Sequence, residues 1–88
     1  MIRRVVRVSG RVQGVGFRYS CADEAKARRV NGWVRNLPNG SVEADLEGET
    51  EAVEAMIAWM RSGPRWAHVT GIEVESAEPT GANDFRIR

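Results

Sequence analysis

The sequence predicts an α+β fold, a mostly antiparallel sheet with two helices on one face. Three observations predict it. Short segments alternate apolar and polar residues with a period of two, two longer stretches favour helix, and the two kinds interleave as strand, helix, strand, strand, helix, strand, with a short strand to finish. Split βαβ units with short connections account for this order, which is that of the ferredoxin-like βαββαβ sandwich with an extra C-terminal strand.

Taken in order, Ile2 to Ser9 places Val6 and Val8 on one face and Arg3, Val5 and Arg7 on the other, as a half-buried strand requires. After a glycine-rich stretch, Tyr19 to about Val30 reads as an alanine-rich helix whose narrow face of Cys21, Ala22 and Ala25 suits close packing on a sheet. Asn31 and Gly32 are expected to stop it. Trp33–Asn36 and Ser41–Glu47 read as a hairpin turning at Asn39-Gly40, with Val42, Ala44 and Leu46 inward and Glu43, Asp45 and Glu47 expected to point to water. Thr50 to Arg61 reads as the second helix. It presents Val53, Ile57 and Met60 on one stripe, has Glu51 and Glu54 near its positive end, and closes at Ser62-Gly63-Pro64. Ile72 and Val74 alternate with Glu73 and Glu75 as a fourth strand, and Phe85 and Ile87 with Arg86 and Arg88 as a fifth. Trp33 and Trp59 are expected to pack between helices and sheet, while Trp66 either covers the sheet edge or flanks a ligand.

Length and charge narrow the function. The 88 residues make one domain, 1–88, large enough to bury a core without metals or disulfides as staples. Thirteen basic side chains against twelve acidic ones leave a net charge of +1, so no general field draws nucleic acid or an anionic membrane. An RNA-binding sandwich would need aromatic residues on its central strands, and those strands carry valine, arginine and glutamate instead. The single cysteine, Cys21, excludes a disulfide within the chain and a cysteine-based zinc cluster, and it fits the cytoplasm. No apolar run is long enough for a signal peptide or a membrane span, so neither export nor anchoring is expected.

The chemistry concentrates in Gly10–Arg18, GRVQGVGFR, between the first strand and the first helix. Gly10, Gly14 and Gly16 permit positive φ and close approach, so successive N–H groups can converge on an anion. Arg18 adds a permanent two-pronged charge beside a helix start. The loop ends in no Gly-Lys-Ser/Thr, and its spacing G-x-x-x-G-x-G is not the dinucleotide pattern, which disfavours ATP and NAD. By itself the stretch reads either as a cradle for one tetrahedral anion or as a glycine-rich turn with a surface arginine. Asn36, in GWVRNLPNGSVE, likewise reads either as a turn former or as an amide able to hold a water molecule by donating and accepting together.

Together, GRVQGVGFR, GWVRNLPNGSVE with its asparagine eighteen residues beyond Arg18, the downstream GPRWAHVTGIEVE and the FRIR ending resemble the acylphosphatase family over nearly the whole chain. The resemblance implies the ferredoxin-like fold and hydrolysis of an acyl phosphate to a carboxylate and inorganic phosphate. It assigns Gln13, Gly14, Val15, Gly16 and Phe17 to the phosphate cradle, Arg18 to phosphate binding and catalysis, and Asn36 to orienting the attacking water. It implies no metal or cofactor, a small-molecule acyl phosphate as the only partner, and a monomer. Many members carry Asp-Gly where this chain has Asn39-Gly40, and both pairs suit a tight hairpin turn.

The residues agree with chemistry that needs few groups. A mixed anhydride expels good leaving groups, so no strong general acid is required, and the resemblance implies that the substrate phosphate itself takes the water's proton. Ser20 and Cys21 adjoin the loop, but the only histidine, His68, is about fifty residues away and reads as a plain surface residue. Cys21 reads as a small packing residue. The alternative to an enzyme is a non-catalytic phosphate- or carbamoyl-phosphate-binding module of the same fold, as found within larger maturation proteins. The short chain favours the hydrolase.

Overall fold

The computed structural model describes residues 1–88. It has seven elements: β1 (Ile2–Arg11), α1 (Phe17–Arg28), β2 (Asn31–Asn36), β3 (Val42–Gly48), α2 (Thr50–Met60), β4 (His68–Ala77) and β5 (Phe85–Ile87). The strands form one sheet in the order β4-β1-β3-β2-β5, antiparallel except for the parallel pair β2 and β5. β3 separates β1 from β2, and β1 separates β3 from β4, so α1 and α2 each close a split βαβ unit. This is the expected ferredoxin-like sandwich.

Inward valines on β1, Val6 and Val8, meet Val34 of β2 and Val42, Ala44 and Leu46 of β3 on the helix-covered face. Small residues Cys21, Ala22 and Ala25 let α1 lie close to the sheet, while α2 contributes Val53, Met56 and Met60. Trp59 of α2 packs on Phe17 at the start of α1, ring centroids 5.5 Å apart.

Several details differ from the sequence expectation. The first helix begins at Phe17, two residues earlier, which puts Arg18 in its first turn. It ends at Arg29, in left-handed conformation with φ 59, where Val30 N–H bonds back to Ala25 C=O at 2.8 Å. Asn31 and Gly32 therefore open β2, not stop α1. Gly32 is needed there because a Cβ would lie 1.7 Å from the Asp45 carbonyl oxygen.

The acidic residues of β3 do not point to water: Glu43, Asp45 and Glu47 are all buried. The reason is cross-strand register. Arg7 and Arg35 flank Glu43 directly on the two neighbouring strands and bond its two oxygens from either side at 2.8 Å. Arg3 grips Asp45 through Nε and Nη2, the shortest bond being 2.7 Å. Glu47 accepts from the N–H groups of Thr80, Gly81 and Ala82 and from the Thr80 hydroxyl.

Trp33 also departs from expectation. It lies on this charged face opposite Asp45, away from the helices, with the guanidinium groups of Arg35 and Arg88 5.1 and 4.7 Å from its ring.

The hairpin is wider than a two-residue turn. Leu37 N–H bonds to Ser41 C=O and Gly40 N–H to Leu37 C=O. Only Gly40 takes positive φ, 91, so the connection is a four-residue turn closed by a left-handed glycine.

Candidate active site

β1 delivers the chain to the site through a bulge. Its register against β4 shifts between Ser9 and Gly10, and Gly10 takes φ 119 where a Cβ would lie 2.2 Å from the His68 carbonyl oxygen. The backbone then enters the loop. Gly14 and Gly16 are left-handed, φ 74 and 77, on either side of Val15, an alternation that turns successive N–H groups towards one point.

The N–H groups of Gly14 to Tyr19 bond to no carbonyl or side chain; the first backbone bond of α1 runs from Ser20 N–H to Gly16 C=O. These free donors lie at the start of α1, where the helix dipole is positive. The Phe17 N–H is one of them, and its ring is buried against Trp59 and beneath Gly63, where a Cβ would come within 2.6 Å of the ring.

A cavity of about 180 Å³ opens here, lined by Val12, Gly14, Gly16, Phe17, Arg18, Tyr19 and Asn36. It thus unites the loop glycines, the motif arginine and the hairpin asparagine. Pockets for drug-sized ligands run roughly 300 to 1,000 Å³, so this one is sized for a small anion. A larger open cleft of about 540 Å³, between Ala25, Arg29 and Phe85, lies at the carbonyl end of α1, where the helix dipole disfavours anions.

Within the small cavity the Arg18 and Asn36 side chains are uncommitted. Arg3, Arg7, Arg28, Arg35 and Arg86 all bond carboxylates, whereas the Arg18 guanidinium bonds no protein group. Asn31 donates to the Ala82 carbonyl and Asn39 accepts from Ser41 N–H, whereas the Asn36 amide bonds to neither side chain nor backbone.

Gln13 and Val15 do not line the cavity. Val15 packs against the core, and the Gln13 side chain turns away to donate to the carbonyls of Leu37 and Ser41. Tyr19, 68% exposed on the rim, was not foreseen; an aromatic directly after the motif arginine was the available signal.

Neither Cys21 nor His68 lines the cavity. Cys21 is fully buried, and burial, with Glu24 nearby, pushes its thiol up to about 12, so it is protonated at neutral pH. His68 sits exposed at the start of β4, opposite Arg11 and outside the cavity. Trp66 is 70% exposed, with the Arg65 guanidinium over its ring, and does not line the cavity either.

Sheet order and cavity define a class: a ferredoxin-like sandwich with an anion-sized pocket between the β1–α1 loop and the β2–β3 hairpin. The acylphosphatase family model matches residues 4–87, and the chain belongs to that family. It is 52% identical over 86 residues to an acylphosphatase from Thermococcus kodakarensis, covering 98% of this chain and 94% of that one. The crystal structure of acylphosphatase from Bacillus subtilis superposes with a TM-score of 0.96 at 37% identity, covering 100% and 99% of the two chains. Full-length HypF, solved in a phosphate- and nucleotide-bound form, matches with a TM-score of 0.88 at 28% identity over 99% of this chain but 12% of that one.

Proposed function

We propose that the protein hydrolyses acyl phosphates to a carboxylate and inorganic phosphate, acting as one domain over residues 1–88. The observation that carries the reading is that two uncommitted polar side chains, Arg18 and Asn36, line one anion-sized cavity beside a run of free N–H groups.

In this reading the N–H groups of Gln13 to Phe17 and the Arg18 guanidinium hold the phosphoryl oxygens. Their positive charge stabilises the charge that builds on them as water attacks. Asn36 positions that water by accepting one of its hydrogens. The water oxygen bonds to phosphorus, the bond between phosphorus and the acyl oxygen breaks, the carboxylate leaves with the electron pair, and the water's proton passes to the phosphate. The acyl group leaves the cavity past Tyr19. Charge stabilisation is assigned wholly to N–H groups and Arg18, so the reaction asks for no metal, no cofactor and no partner beyond the substrate. A monomer in the cytoplasm completes the reading. No helix is long and apolar enough to cross a membrane.

The test is hydrolysis of benzoyl and acetyl phosphate by the purified protein, with and without EDTA. Turnover of both, unchanged by EDTA, is expected. The HypF match supports a second reading, a phosphate-binding module without turnover, and retained phosphate binding with no hydrolysis would establish that instead.

A further inference from the structure

Gln13 opens the proposed cradle with its backbone N–H, yet its side chain serves the opposite half of the site. Its Nε2 donates to Leu37 C=O at 2.8 Å and to Ser41 C=O at 2.9 Å, using both amide hydrogens. Those carbonyls are the same two that close the hairpin turn, accepting Gly40 N–H and Leu37 N–H. Leu37 adjoins Asn36.

The sheet itself does not tie the two halves together at this level. The β1–β3 ladder ends at Val8 opposite Val42, and past that rung only the two Gln13 bonds join the loop to the turn. Asn36 sits opposite Val42, at the last rung of β2. Beyond that rung, the turn that follows Asn36 is tied to the loop by one side chain.

We propose that the Gln13 side chain is a positioning residue: a strut from the phosphate loop to the Leu37–Ser41 turn that fixes where the Asn36 amide stands relative to the bound phosphate. This deepens the hydrolase reading and rests on it. Misplacing a positioned reactant by about 1 Å can cost about 10² in rate, so loss of the strut should act on the chemical step. Phosphate affinity should persist, because the cradle's N–H groups and Arg18 are untouched. The turn should persist too, since each carbonyl keeps its backbone donor.

The test is Gln13→Met, uncharged and of similar length but without a donor. It is expected to lower kcat for benzoyl phosphate about 10-fold or more, with the Kd of inorganic phosphate changed by less than about 2-fold. Gln13→Lys, which restores a donor of similar reach, is expected to recover most of kcat. If Gln13→Met does not fold, Gln13→Asn keeps the amide but shortens its reach and is expected to show the same split. An unchanged kcat, or phosphate affinity falling in step with kcat, would overturn the strut. The Asn36 side-chain amide resonances give a readout independent of turnover, and they should shift in Gln13→Met. If the wild type hydrolyses nothing, the hydrolase reading has failed, and the strut then stands or falls on that shift alone.

Discussion

In the proposed reaction Arg18 is distinguished from the eleven other arginines by lining the small cavity with a guanidinium that bonds no protein group. Where carboxylates occupy the guanidinium groups of Arg3, Arg7 and Arg35, Arg18 keeps its donors for a ligand. Arg18→Ala is expected to lower kcat/KM for benzoyl phosphate about 10³-fold, the scale of losing a preorganised donor to developing charge. Arg18→Lys should recover little, because an ammonium cannot span two phosphoryl oxygens as a guanidinium does. Hydrolysis assays check both, and near-normal turnover in either variant would remove Arg18 from the site. Arg18 and Asn36 were legible in the sequence because their motifs are local. The two bonds of the Gln13 side chain were not, since they join residues 24 and 28 positions apart.

At the scale of elements, strand periodicity identified the buried face of the sheet but misjudged the other one. Alternation places Glu43, Asp45 and Glu47 opposite the core. It cannot say that Arg3, Arg7 and Arg35 arrive beside them on neighbouring strands, because register depends on pairing. Nor could spacing show that the segment of Thr80 to Ala82 folds over Glu47.

The consequence at Glu47 is measurable. The Thr80 N–H foremost, with the Thr80 hydroxyl and the Gly81 and Ala82 N–H groups, holds its carboxyl below the usual range against the opposing effect of burial. A lowered folded value means the stabilisation is complete above the unfolded value, about 4.3, and is lost as pH falls through the folded one. Glu47→Gln should therefore melt several degrees below wild type at pH 7, with the gap closing as the pH is taken below about 4. Thermal unfolding across that range checks it, and a gap independent of pH would contradict it.

At the scale of the whole molecule, the fold acts as a bracket for two short segments. The order β4-β1-β3-β2-β5 leaves the exit of β1 and the β2–β3 hairpin at the same end, so the cradle and Asn36 meet although neither neighbours the other in sequence. The two motifs were legible in the sequence; that they meet, the width of the hairpin turn and the helix starting at Phe17 had to come from the structure. The central claim is a division of labour, in which the loop and Arg18 hold phosphate and Asn36 aims water. Asn36→Ala separates the two most directly, measured as kcat for benzoyl phosphate beside the Kd of inorganic phosphate. The account predicts kcat lowered about 10²-fold or more with Kd within about 2-fold of wild type. Lost phosphate binding with kcat retained would contradict it.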